Sequence, residues 1–251
     1  MKTWKMLAAA LAAFALSPAA ALAGATHVAV AANFTDAATE IAAAFKEKTG
    51  EEAVLSFGST GQLYTQISQG APYEVFLAAD AARPERAVAE GLAVDGSRFT
   101  YAIGRIVLWS ADPDLVEGAE TLKAGAFDKL AIANPATAPY GAAALEAMRA
   151  LSVYDGLKAK IVTGNNIAQA FQFVQTGNAE LGFVALSQIA GKEDGSRWQV
   201  PVELYQPIRQ DAVLLTKAAE SDAAKAFLAF LKGPEAGAII EKYGYATGAG
   251  S

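Results

Sequence analysis

The stretch HVAVAANFTDAATEIAAAFKEK, residues 27–48, decides the architecture. Its first part, residues 27–32, is a short β-rich run. From Thr35 onward the apolar residues fall at Ala38, Ile41, Ala42 and Phe45, the spacing of one helix face. Gly50 then stops the helix. Strand feeds directly into helix, with Asn33 at the junction.

The same order repeats outward toward the C-terminus. Residues 53–57 read as a strand and 61–69 as a helix that Gly70-Ala71-Pro72 ends. Residues 74–79 form a third strand and 84–90 a third helix. A longer β-like run covers 99–109 with no helix directly after it. A second set follows, with strands at 130–133, 161–162 and 181–186 and helices at 139–151 and 166–175. Residues 200–215 read as a return crossing, and helices at 222–231 and 234–243 close the chain. Alternation of this kind predicts α/β lobes built on parallel sheets rather than a barrel of hairpins. The expected arrangement is two lobes, 24–105 with 210–251 and 106–209, joined by two extended crossings. Ligands in such sheets sit at the carboxyl ends of strands, where helices begin.

Toward the N-terminus the pattern changes. Lys2 and Lys5 precede an apolar run at 7–16, Ser17-Pro18 breaks it, and Ala21-Leu22-Ala23 has the small-x-small form of a cleavage site. That is the order of a secretory signal peptide, and the run is too short for a permanent span. The expected mature chain starts at Gly24 in the periplasm. Losing Lys2 and Lys5 takes the formal net charge from −6 to −8. A chain of that charge does not attract nucleic acid or an anionic membrane through its general field. Any anion it binds must be held by local dipoles. The absence of cysteine removes disulfide scaffolds, thiolate metal sites and cysteine nucleophiles.

Four strand-to-helix junctions carry the candidate chemistry. Asn33, after Ala31-Ala32, is placed as an N-cap with Asp36 three positions on. Gly58-Ser59-Thr60-Gly61 opens the second helix with two hydroxyls between glycines. At residues 134–141, Pro139 suits a first helical turn, ahead of Tyr140. Asn166 and Gln169 fit a capping box around Ile167. Taken singly, each junction is better read as simple capping. Four together, two from each half, make a set of free N–H groups and helix dipoles suited to an anion. None contains Lys or Arg, which disfavours ligands gripped by bidentate arginine and suits a compact oxyanion that only accepts hydrogen bonds.

The remaining residues read as structural. His27 opens a strand and is not expected to be a ligand. Asp112 and Asp114 flank Pro113 in a turn without the longer acidic pattern of a calcium loop. Ser59 and Ser187 have no histidine partner, which removes a Ser-His-Asp hydrolase. Tyr243 and Tyr245, which could suggest an iron-binding pair, read as packing residues at a helix end.

Several segments together resemble one family: AANFTDA (31–37), FGSTGQL (57–63), GAPYEVFLAAD (70–80), ANPATAPYGA (133–142) and FLKGPEAGAIIEKYG (230–244). The chain resembles the molybdate-binding component of ABC transporters, the ModA family, over essentially its whole mature length. The resemblance implies a two-lobed periplasmic binding protein fold of type II. It implies capture of molybdate or tungstate by neutral hydroxyls, amides and backbone N–H groups. The implied oxyanion site comprises Ala32, Asn33, Ser59, Thr60, Tyr140 and Ile167. The resemblance implies that molybdenum, as molybdate, is held through Asn33, Thr60, Tyr140 and Ile167. Asn33 and Thr60 lie 27 residues apart, as do Tyr140 and Ile167, which fits the family register. Two departures stand out: Asn33 replaces the common serine, and Ala185 stands where many members place a ligand tyrosine. Resemblance to a subgroup with asparagine at the first site implies that Tyr140 compensates from the facing junction. The resemblance further implies a membrane permease partner, a monomer, no resident cofactor and no enzymatic activity. A receptor for another tetrahedral oxyanion such as sulfate, an enzyme acting on a small anion and a sensor module remain the alternatives.

Overall fold

The strand that follows Gly24 is buried on nearly every residue from Val28 to Ala31, so it must lie at the centre of a sheet covered on both faces. A computed structural model of the chain describes residues 24–247. The signal-peptide reading of residues 1–23 lies outside them. In the first lobe, β1 (Ala25–Ala31) leads into α1 (Thr35–Thr49), β2 (Glu52–Gly58) into α2 (Thr60–Ser68), and β3 (Val75–Leu77) into α3 (Ala82–Ala89). β4 (Phe99–Gly104) and β5 (Ile106–Ser110) follow. Then come α4 (Ala119–Ala124), β6 (Leu130–Ala133), α5 (Pro139–Ala150), α6 (Tyr154–Leu157), β7 (Ile161–Gly164), α7 (Ile167–Gln175), β8 (Leu181–Ala185), β9 (Ser196–Gln199) and β10 (Ile208–Leu214). α8 (Asp222–Leu231) and α9 (Pro234–Lys242) end the fold.

These strands form two five-stranded sheets, in the orders β2-β1-β3-β10-β4 and β7-β6-β8-β5-β9. The fold is α/β with two lobes. The sheets are mixed rather than wholly parallel, which corrects the sequence expectation. β10 runs antiparallel to β3 and β4, and β5 runs antiparallel to β8 and β9. The cause is the connectivity. A strand that enters a sheet from the other lobe arrives without a crossover helix, so nothing forces it parallel.

The single β-like run expected at 99–109 is two strands. Arg105 separates β4, in the first sheet, from β5, in the second. The expected return crossing contains β10 itself, reached through residues 200–207. Alternation of apolar residues could not reveal either point, because the pattern stays β-like while the strand changes sheets. α4 and β9 are both short and were not foreseen.

α8 and α9 return to the first lobe. Phe227 and Phe230 of α8 and Ile239 and Ile240 of α9 join Ile41 and Phe45 of α1 in one apolar cluster. Phe45 and Phe227 meet edge to face at 5.4 Å, a pairing worth about 0.5–1.5 kcal/mol beyond area burial. The second lobe has its own core around Trp109, Leu108, Ile132, Met148 and Phe183. Ala31, Ala32 and Ala79 of the first lobe belong to that same cluster, so small apolar side chains meet where the lobes face each other. Among the described residues no helix is long and apolar enough to cross a membrane.

Candidate functional site between the lobes

The first N–H groups of any α-helix lack an intrahelical acceptor. Here three such helix starts, of α2, α5 and α7, face one point. A narrow cavity of about 10 Å³ is lined by Ala32, Asn33, Ser59, Thr60, Tyr140 and Ile167, together with Ala31, Gly58, Ala79, Ala138, Pro139 and Asn166. All six residues singled out in the sequence are therefore brought together. The backbone N–H groups of Thr60, Tyr140 and Ile167 find no backbone acceptor among the described residues. No charged side chain lines the cavity.

Ser59 occupies the N-cap position of α2 in extended backbone (φ −70°, ψ 145°), yet its side chain caps nothing. It is 3% exposed, and its Oγ is buried without a hydrogen-bond partner among the described residues. A buried hydroxyl left in that condition costs about 1–3 kcal/mol. Thr60 differs. Its Oγ1 accepts from the Ala79 N–H at 3.0 Å, which leaves the hydroxyl proton free to donate. In α5, Pro139 takes the first helical position, where its missing N–H costs nothing, and Tyr140 follows. In α7, Asn166 caps the helix by accepting from Gln169 N–H at 3.0 Å. The return arm of the expected capping box goes elsewhere. Gln169 Oε1 accepts from Asn165 N–H at 2.6 Å rather than from Asn166 N–H, and the amide of Ile167, at the first helical position, has no backbone acceptor among the described residues.

Asn33 departs from the sequence reading. It is not an N-cap: Phe34 holds that position for α1, and Asn33 sits in a short 3-10 turn with Ala32 and Phe34. Its side-chain amide donates to Gln210 Oε1 at 2.8 Å, to the Tyr245 hydroxyl at 3.0 Å and, more distantly, to the Tyr140 hydroxyl at 3.4 Å. Its carbonyl accepts from Tyr245 at 2.7 Å and from Ser187 Oγ at 2.8 Å. The cap fails because the chain makes an extra 3-10 turn before α1, which swings Asn33 inward. Ser187, Gln210, Tyr101 and Tyr245 are the residues that sequence reasoning did not place here. The legible hint was Gln210-Asp211, two polar residues that lie buried in the strand beside the exposed Arg209.

Tyr140 belongs to the second lobe through α5, but its hydroxyl ends against the first. It accepts from Gln210 Nε2 at 3.3 Å as well as from Asn33. Gly104, at the end of β4, makes room for it: a Cβ there would meet the Tyr140 hydroxyl and lie 2.8 Å from Gln210 Nε2. Ala185 is fully buried at the end of β8 and does not line the cavity.

Electrostatically the site is neutral. Burial, first of all, pushes the phenol of Tyr245 up to about 12 and those of Tyr101 and Tyr140 well above the ordinary tyrosine value. All three stay protonated across neutral pH. Arg83 lines an adjacent groove and is ion-paired with Asp80. Among the described residues there is no cluster of His, Cys, Asp or Glu able to hold a metal cation. The His27 side chain is exposed on β1, and Tyr243 hydrogen-bonds Glu40 on the surface of α1, so neither is at the cavity.

Two α/β lobes, two crossings and a neutral donor-lined cavity between them define a solute-binding protein. Residues 26–246 match the family of bacterial extracellular solute-binding proteins. The molybdate-binding protein ModA of Rhodobacter capsulatus is 59% identical over 227 residues, 90% of each chain. That of Azotobacter vinelandii is 55% identical over 230 residues, 90% of this chain and 91% of the relative. The solved structure of the Azotobacter vinelandii periplasmic molybdate-binding protein superposes with a TM-score of 0.85 at 43% identity, covering 88% of this chain and 98% of that one. The chain belongs to the ModA family of molybdate-binding solute-binding proteins.

Proposed function

We propose that this chain captures molybdate, or tungstate, in the periplasm and delivers it to the permease of an ABC importer. One observation carries the ligand class: the buried Ser59 hydroxyl, unpartnered among the described residues, lines the same cavity as the open N–H groups of Thr60, Tyr140 and Ile167. Every one of these groups can donate, and none brings charge. A tetrahedral dianion offers acceptors in every direction and asks for no donor-to-acceptor switch. Each charge-assisted hydrogen bond contributes about 1.5–3 kcal/mol, and each helix start adds ~0.3–2 kcal/mol. Several together hold a dianion against a protein of net negative charge. Ala32, Asn33, Ser59, Thr60, Tyr140 and Ile167 form the binding set. Asn33 acts chiefly by fixing the wall, and Ser59 and Thr60 act as hydroxyl donors.

Size supports a small ligand. Pockets for drug-sized molecules run about 300–1,000 Å³, and this cavity of about 10 Å³ is far below that range. No nucleophile with a base partner faces it, which supports a carrier rather than an enzyme, and no resident cofactor is required. The protein acts as a monomer. The segment before Gly24 serves as a cleavable signal peptide, and N-terminal sequencing of the exported protein is expected to begin at Gly24.

Calorimetric titration with molybdate, tungstate, sulfate and phosphate tests the reading. Tight binding of molybdate and tungstate with weak or absent binding of phosphate is expected. Preference for sulfate would replace the molybdate reading with a sulfate receptor. No binding of any of the four would remove the oxyanion reading altogether.

A further inference from the structure

We infer that Gly61, Arg83 and the turn around Ala136 and Thr137 form a latch across the mouth of the cleft, and that this latch governs how fast a bound anion leaves. Gly61 N–H, in the first turn of α2, donates to the Thr137 carbonyl at 2.8 Å. This is a backbone bond between the two lobes. Beside it, Arg83 Nη2 at the start of α3 lies 3.2 Å from the Ala136 carbonyl. Two consecutive carbonyls of the second lobe are therefore taken by two donors of the first.

Both sides of the contact are pre-shaped. The Asp80 carboxylate binds the Arg83 backbone N–H at 2.9 Å and pairs with its guanidinium, so the fork is aimed before the lobes meet. The facing turn is braced by Asn134, whose side chain accepts from Ala136 N–H at 3.0 Å and whose carbonyl accepts from Ala138 N–H at 2.8 Å. Asp80 also neutralises Arg83, so the guanidinium serves the carbonyl without acting as a competing anion site.

The fit requires glycine at 61 for reasons of space. Its backbone is not in the left-handed region, so conformation alone would accept alanine. A Cβ there would lie 3.0 Å from Thr137 Cα, 3.1 Å from the Thr137 carbonyl oxygen and 3.0 Å from Arg83 Nη2. A single methyl group would press on the facing backbone, which must give by a few tenths of an ångström, and so weaken the contact between the lobes while leaving each lobe intact. The latch is also adjacent to the cavity on both sides. Thr60 precedes Gly61, and Ala138, Pro139 and Tyr140 follow Thr137. Opening the latch must therefore move the cavity walls apart. Arg83 does not line that cavity, so it is a positioning residue rather than a ligand contact.

Two measurements on the full mature protein decide the matter. In the first, loaded molybdate is chased with excess tungstate. Arg83→Ala is expected to release about tenfold faster, the effect of losing one charge-assisted hydrogen bond present only when the lobes touch. Arg83→Lys should lie between it and the parent, and association rates should stay within about twofold, since affinity changes of this kind reside mostly in release. Gly61→Ala should release at least as fast as Arg83→Ala. The second measurement needs no ligand and does not rest on the molybdate reading. Glu47→Cys and Gln172→Cys place spin labels on the two lobes of a chain that has no native cysteine. Their distance distribution should shift to longer values with either Gly61→Ala or Arg83→Ala. Parental release rates together with an unchanged distance distribution would overturn the latch. So would variants that only lower the melting temperature. If the parent fails to bind molybdate, the functional reading falls and the label distances alone decide the latch.

Discussion

The Asn33 side-chain amide donates to Gln210 Oε1 at 2.8 Å, across 177 residues of chain. It ties the turn that opens α1 to the strand by which the chain returns from the second lobe. One wall of the cavity is thus anchored to a crossing between the lobes, and ligand contact and lobe geometry are mechanically linked there.

Asn33→Ala is therefore expected to weaken both binding and folding. Three donor contacts to Gln210, Tyr245 and Tyr140 disappear from a buried site. A loss of about 1–3 kcal/mol in stability follows from the stranded partners, with a comparable loss in molybdate affinity as the wall relaxes. Asn33→Ser should be milder in binding, because a hydroxyl restores one donor. Thermal melts beside titrations separate the two quantities. A parental melt and parental affinity for Asn33→Ala would remove the anchoring role.

Ser59→Ala and Thr60→Ala should part company. Ser59 Oγ has no partner among the described residues, so its removal should leave the unliganded melt unchanged or slightly raised, while affinity falls by about 1–3 kcal/mol. Thr60 Oγ1 accepts from the buried Ala79 amide, so Thr60→Ala should lower the melt as well as the affinity. Equal melts and equal affinities for the two variants would contradict the geometry.

Binding should vary little between pH 6 and 9, as no group lining the cavity titrates there. Between pH 6 and 11, the contribution of the buried phenols to stability should fall only toward the alkaline end. The Tyr245 phenol is raised from 10 to about 12 by burial, and Tyr101 and Tyr140 shift the same way. A raised phenol contributes stability in full below the unfolded value, and that contribution is lost as pH climbs from about 10 towards 12. Melting curves across pH 6 to 11 check this, and a steep loss of affinity below pH 9 would point to a titrating ligand group outside the set named here.

Gly104→Ala should be costly despite the small change. Its methyl group would meet the Tyr140 hydroxyl and lie 2.9 Å from Tyr140 Cζ. Overpacking of a tight core costs about 1–3 kcal/mol, and here the strain falls on the residue whose amide faces the cavity. Adding Tyr140→Phe should recover part of the loss by removing the clashing oxygen. Melts of the two single variants and the double variant test the coupling, and strict additivity would sink it.

Much of this molecule was legible before any coordinate. Residues 130–133 and 222–231 read correctly end to end, and the other helices that open on the cavity were located to within a residue or two. Helix starts follow from local rules: a strand ending in small residues, a proline or asparagine at the boundary, then an apolar face every third or fourth position. The residues that converge on the cavity were legible for the same reason, because an anion site made of helix starts is a local feature used several times. The neutrality of the site was equally plain, since it rests on which residue types are absent at the junctions.

What the tertiary structure alone decided are the relationships between distant segments. Whether the run through Arg105 stays in one sheet or changes sheets depends on which edge is open to receive it, which no periodicity encodes. β10 is antiparallel because it arrives from the other lobe. Asn33 is an anchor rather than a cap because Gln210 and Tyr245, 177 and 212 residues away, come to lie within hydrogen-bonding reach. Ser59 stands out from Thr60 because only one of the two hydroxyls finds a backbone amide. Propensity and capping act over one helical turn, so sequence determines them directly. Pairing of buried polar groups acts through space, so it waits on how the chain returns.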